Sequence, residues 1–195
     1  MGKLGFKERI AEVKKEHVLD HIYGIFPPDE LVYKTLAELF HLNGFVIGLP
    51  PRRSDLAEGR NYRYRFFLHL CGTCRKDLEW INDYFPGRIK KLRCKKNITN
   101  PETGETLKYH WFVRGMSAGL ICDELIAYGK TQRDRHLLEQ CARGTLPHRR
   151  GRGHSVPDGV RERRAAIMLD VNTLCSEWPH KSPTDASLTH KNLKG

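Results

Sequence analysis

The sequence predicts an α+β fold in which two antiparallel hairpins carry their helices on one face. Three observations lead there. Residues 61–72, NYRYRFFLHLCG, alternate between two faces; residues 107–115, LKYHWFVRG, do so again; and amphipathic helical segments lie before, between and after them. Helices gathered on one side of antiparallel hairpins leave the other side for a ligand.

Residues 6–22, FKERIAEVKKEHVLDHI, bring Ile10, Val13, Val18 and Ile22 near one helical face and read as a short arm. The segment GIFPPDE breaks it, and Asp29 is placed to cap a second helix from Glu30 to His41, which Asn43-Gly44 ends. FVIGL then reads as a strand, and Arg52 to Asn61 as a polar loop. In the first alternating segment Tyr62, Tyr64, Phe66, Leu68 and Leu70 fall on the packed side. Arg63, Arg65, Phe67, His69 and Cys71 fall opposite, on a face expected to be cationic.

Residues 74–85, CRKDLEWINDYF, space Leu78, Ile81 and Phe85 for a helix on the sheet, and Pro86-Gly87 turns the chain into the basic strand RIKKLRCKK. NITNPETGET has the composition of a hairpin connection. The returning strand sets Tyr109, Trp111 and Val113 against Lys108, His110, Phe112 and Arg114. Helices are expected at 117–128, 131–143 and Val160 to Glu177, with a basic loop, PHRRGRGHSVPDG, before the last. The organisation expected is an arm over 1–28, a core over 29–145, a basic loop and helix over 146–178, and a disordered tail over 179–195.

Charge narrows the function. The 195 residues hold 34 Lys plus Arg against 23 Asp plus Glu, for a net charge of +11, which excludes an acidic scaffold. The excess is clustered: residues 60–96 hold eleven basic and three acidic residues, residues 130–164 ten and four, whereas residues 1–59 are nearly balanced. Clustered cations suit a polyanion, because each neutralised phosphate releases a condensed counterion; the bland alternative is a solvated basic face. No apolar run is long enough for a membrane span and the opening MGKLGFKERI has no apolar signal core, so a soluble, cytoplasmic chain without a membrane partner is expected. Six scattered cysteines fit reduced thiols. Cys71 and Cys74 form a C-x-x-C that half a zinc site could use with Cys94, but no second such pair exists, and thiols at a strand-to-helix junction are the plainer reading. Trp80, Trp111 and Trp178 are read as core or interface aromatics, and Arg149 to His154 as either a phosphate grip or a solvated linker.

Four passages resemble the single-motif LAGLIDADG homing endonucleases and their maturase relatives. LAELFHLNG, Leu36 to Gly44, matches the name motif at its first, second, fourth and ninth letters. DLEWINDYFPGRI, YHWFVRGMSAGLICDELIAYG and RGRGHSVPDGVRERRAAI are similar to later family segments, the last of them common in phage and bacterial members. The resemblance spans residues 30–178 and implies an αββαββα saddle whose strands enter the major groove of double-stranded DNA, usually as a homodimer. It also implies a Mg²⁺-dependent cleavage site. On that basis Arg63, Arg65, His69, Lys108, His110 and Arg114 are expected on the reading face, arginine pairing with guanine and lysine serving phosphates. Arg88, Lys90, Lys91 and Arg93 join them, but the parity of their strand is ambiguous.

The departures bear on catalysis. The eighth motif letter, an acidic metal ligand in the family, is Asn43, and a neutral amide brings no negative charge and no base. The sixth is His41. The position of the family's active-site lysine aligns with Gln132, with Lys130 and Arg133 beside it. Glu38 and Leu42 replace the small residues through which two motif helices approach each other, so a helix contact that is looser, shifted or absent is expected. SAGLICDEL echoes the motif with Glu124 at its eighth place, but the spacing of Leu120, Ile121, Leu125 and Ile126 reads as a core helix. The expectation is a site-specific DNA binder with impaired cleavage. The alternatives are an active endonuclease that recruits another carboxylate and a maturase that binds intron RNA.

Overall fold

The computed structural model describes residues 28–85, 87–92, 98–99, 104–145, 157 and 159–176. The N-terminal arm, Arg93, Cys94, the Arg149 to His154 run, Trp178 and the tail lie outside the described residues. Helix α1 (Glu30–Asn43) begins where Asp29 accepts the Val32 N–H at 2.9 Å, the cap that the sequence predicts. Strand β1 (Gly44–Leu49) follows without a loop. Gly44 is required for packing, since a Cβ there would overlap Phe40.

The expected polar loop contains a short helix, α2 (Arg53–Ala57), which Asp55 starts by accepting the Arg52 N–H at 3.1 Å. Strand β2 (Arg65–Gly72) leads to two short helices, α3 (Lys76–Glu79) and α4 (Ile81–Tyr84), where the spacing predicts one. They still bury Leu78 and Ile81 as expected. Strand β3 (Arg88–Lys91) is followed by a two-stranded ribbon, β4 (Ile98–Thr99) with β5 (Thr106–Leu107), inside the predicted hairpin connection. Strand β6 (Tyr109–Arg114) passes through Gly115, at φ 62°, into α5 (Met116–Leu125). A 3₁₀ turn (Ile126–Tyr128), α6 (Gln132–Thr145) and α7 (Val160–Ser176) complete the order.

The main sheet is fully antiparallel, in the order β1-β2-β6-β3. Its register places Val46, Leu68 and Val113 in one row, and Gly44, Leu70, Trp111 and Ile89 in the next. Alternation sends these rows to the helical side, where they meet Leu36 and Phe40 of α1, Ile121 and Leu125 of α5, and Leu137 and Leu138 of α6. Leu120, Ile121 and Leu125 are buried, so SAGLICDEL is a core helix as its spacing predicts.

The opposite face is less open than expected. Phe45, Ile47, Cys71 and Leu107 form a second apolar cluster there, with Leu49, Leu92 and Cys175 packed against it. Helix α7 lies against β1 and α6 and contributes Ile167 and Val171 to the main core. Among the described residues no helix is long and apolar enough to cross a membrane.

Candidate nucleic-acid interface

The rows of the second sheet face bring together Arg65, His69, Arg88, Lys90, His110 and Arg114 of the predicted residues, from three strands, with β1 alongside. Phe45, His69, Phe112 and Arg88 make one row; Cys71, His110 and Lys90 another; Ile47, Phe67 and Arg114 a third. This settles the parity of β3. Arg88 and Lys90 share the face of His110 and Phe112, whereas Lys91 lies beside Tyr109 on the side of Ile89 and Trp111. Arg88, Lys90, Lys108 and Arg114 are exposed, and Lys90 Nζ stands 5.4 Å from the centre of the Phe112 ring, within cation–π range.

On the face that the alternation leads one to expect to be cationic, the middle is neutral. His69 is only 7% exposed. Its ring stacks on Phe45 at 4.7 Å and on Phe112 at 5.5 Å, and its Nδ1 lies 3.2 Å from Nδ1 of His110. Burial, reinforced by His110, pulls its pKa down to about 3, and burial followed by Lys90 lowers that of His110. Two neutral imidazoles can share one N–H, and buried His69 is part of an aromatic stack with Phe45 and Phe112. The result is an aromatic stripe with a cationic rim.

Arg63 and Arg65 stand at the end of the face rather than over its middle. Arg63 Nη1 is 3.5 Å from Asp55 Oδ1, and Arg65 donates from Nη2 to the Pro50 carbonyl at 3.2 Å. Neither Arg52 nor Arg164, which stand near them, is predicted from the sequence. Their proximity arises only when α7 and the β1–β2 connection meet, so no local pattern announces it.

Asn43 is the last residue of α1 and immediately precedes β1, the place that the resemblance assigns to the acid of the motif. The surrounding side chains are committed to packing α1 against α6. His41 Nδ1 donates to Asp134 Oδ2 at 2.8 Å; Asp134 is 2% exposed and also accepts the Thr131 N–H at 3.1 Å, while Thr131 Oγ1 accepts the Asp134 N–H. That reciprocal pair is a capping box for α6. Lys130 pairs with Glu38 at 2.7 Å, and Arg133 donates to the Leu174 carbonyl at 2.8 Å. Gln132 is exposed at the first position of α6.

The described residues around Asn43 do not make a Mg²⁺ site within this chain. Among the described residues no group of three His, Cys, Asp or Glu could hold a metal ion, and the buried carboxylate nearest in role, Asp134, is engaged by His41 and Thr131. The C-x-x-C is divided as well. Cys71 is buried in the second apolar cluster, and exposed Cys74 donates from Sγ to Asp77 Oδ1 at 2.8 Å.

No family model and no curated protein matches the chain. Solved structures do match its fold. One is the homing endonuclease I-CvuI in complex with its target in the presence of calcium, with a TM-score of 0.51 and 16% identity over 74% of this chain and 82% of that one. Another is the same endonuclease with the I-CreI target and magnesium, its DNA not cleaved, with a TM-score of 0.52 and 18% identity over the same shares. With its four-stranded antiparallel sheet and helices on one face, the chain has the α+β fold of these LAGLIDADG homing endonucleases.

Proposed function

We propose that this protein binds double-stranded DNA at specific sites through the second face of its sheet, with metal-dependent cleavage impaired. The observation that carries the reading is the rim of exposed cations, Arg88, Lys90, Lys108 and Arg114, around a neutral aromatic stripe, on a sheet whose other face is filled by helices. The guanidinium groups supply bidentate donors for guanine edges and the ammonium groups neutralise phosphates. Phe67, Phe112 and His110 give the strands a firm, partly exposed floor. A duplex laid on it meets fixed side chains rather than mobile ones, which lowers the entropic cost of docking.

Impaired cleavage follows from Asn43 and from the use of Asp134 as a structural acceptor. An active enzyme that recruits another carboxylate would have to take one from outside these groups. Pairing of two copies into a homodimer is part of the same reading, with Glu38 held to Lys130 rather than packed against a symmetry mate. Any Mg²⁺ requirement belongs to the cleaving alternative, and preference for intron RNA would mark the maturase alternative.

The test is an anisotropy titration of a labelled duplex over a range of salt concentrations, with the full chain and with an Arg88→Gln/Lys90→Gln variant. The reading predicts a linear fall of log affinity with log salt, and a slope shallower in the variant by about 0.9 for each phosphate that it no longer neutralises. A variant with wild-type affinity and slope would remove these strands from the interface.

A further inference from the structure

Beyond the end of the sheet face lies a cavity of about 420 Å³, bounded by the β1–β2 connection, the turn after β6 and the start of α7. Arg52, Arg63, Arg65, Arg114 and Arg164 line it, and Asp55 is the single carboxylate among the lining residues. Five guanidinium groups around one carboxylate repel one another, and the carboxylate is already engaged by the Arg63 side chain and the Arg52 N–H.

Two of the heads are nonetheless held by backbone carbonyls. Arg65 is anchored on the Pro50 carbonyl and Arg164 donates from Nη1 to the Tyr62 carbonyl at 3.2 Å. Arg65 Nε is buried without a hydrogen-bond partner among the described residues. A buried N–H donor left unpaired is rare and costly, and here it sits within a ring of like charges. Burial, together with Arg52 and Arg114, holds the Arg65 guanidinium below its ordinary pKa, with Asp55 acting in the opposite direction. An oxyanion would satisfy the donor and relieve the repulsion together. Guanidinium forks match the oxygens of a phosphate, and the cavity is large enough for a phosphodiester with its adjoining sugars.

Arg65 is paired in register with Leu49, and Arg114 with Phe67, on the face that carries His69 and Phe112. The cavity therefore continues that face beyond the ends of β2 and β6. We propose that it is a phosphodiester-binding site that takes a backbone phosphate of the duplex lying on the sheet. The assignment rests on the DNA-binding reading above.

The test uses the full chain, Arg52→Gln and Arg164→Gln. Each is titrated with duplex over a range of salt concentrations, and each is melted in increasing inorganic pyrophosphate at constant ionic strength. Each variant is expected to bind duplex more weakly, on the order of tenfold, with a salt slope shallower by about 0.9, the share of one phosphate. Pyrophosphate is expected to raise the Tm of the wild-type chain saturably and to do so less in the variants. Arg164 also holds Tyr62, so Arg52→Gln, at an exposed position, reads the site without touching the core. Duplex binding with wild-type affinity and slope in Arg52→Gln would overturn the site and leave the DNA reading standing. Saturable pyrophosphate binding without any duplex binding would overturn the backbone assignment and the DNA reading together, and would assign the cavity to a free phosphate ligand.

Discussion

The side-chain amide of Asn172 meets the backbone of Gly48 as a neighbouring strand would, accepting its N–H at 3.0 Å and donating to its carbonyl at 2.9 Å. Gly48 lies on β1, an edge of the sheet, and edge strands left open invite pairing with other chains. Helix α7 closes this one, helped by Cys175, whose Sγ donates to the Val46 carbonyl at 3.1 Å. The close approach depends on the missing side chain, since a Cβ on Gly48 would lie 2.7 Å from Met168 Cγ.

Two substitutions test that seal. Asn172→Leu strands a donor and an acceptor of Gly48 together and is expected to cost about 2–4 kcal/mol. Gly48→Ala forces α7 away from β1 and is expected to cost about 1–3 kcal/mol. Urea unfolding measures both; a midpoint unchanged in either variant would mean that α7 does not bear on the edge.

The buried imidazole of His69 makes stability depend on pH. Its pKa is about 3 in the folded protein against 6.5 in the unfolded chain, so between those values the unfolded chain binds the extra proton. Its neutral form therefore favours the fold fully above pH 6.5, and that advantage is lost as pH falls toward 3, by up to about 1.4 kcal/mol for each unit. His69→Phe keeps the stack on Phe45 and Phe112 and removes the proton. Unfolding free energies at pH 7 and pH 5 should differ less in the variant than in the wild type, and equal differences would contradict the burial.

His41 and Asp134 join the end of the motif helix to α6. Asp134→Ala removes the acceptor of both His41 and the Thr131 N–H, and is expected to destabilise the protein by about 2–4 kcal/mol; His41→Ala should cost less, about 1–2 kcal/mol. Thermal melts with and without Mg²⁺ check this. A Tm that responds to Mg²⁺ in the wild type and not in the variants would instead mark the pair as metal ligands.

Asn82 Oδ1 accepts from both Trp111 Nε1, at 3.0 Å, and the Gly87 N–H, at 3.1 Å. Asn82→Ala leaves a buried indole N–H unpaired, for about 1–3 kcal/mol. Gly87→Ala drives a methyl group into the Trp111 ring and should cost at least as much. Denaturant midpoints that do not move in either variant would contradict this account of the α4–β3 turn.

Which strand residues share a face was legible wherever polar and apolar residues alternate, as on β2 and β6. It was not legible on β3, where Arg88, Lys90 and Lys91 are all basic and only the pairing of Ile89 with Trp111 fixes the phase. The burial of His69 had a signal in β1. FVIGL is apolar on both sides, which indicates a strand covered on both faces, and Phe45 covers His69. The helix at Arg53–Ala57 was hidden because so short a segment carries no apolar period. The partnership of His41 with Asp134 spans 93 residues, so no local pattern could show it.

The central claim is that the sheet holds a duplex and leaves it intact. It is tested most directly by selecting bound duplexes from a randomised pool and then incubating the purified complex with Mg²⁺. The expected result is a recovered consensus sequence whose strands stay whole with the wild-type chain, and nicking or cleavage, where any returns, only with Asn43→Asp. Cleavage of the selected duplex by the unaltered chain, or a pool that yields no bound duplex at low salt, would contradict it.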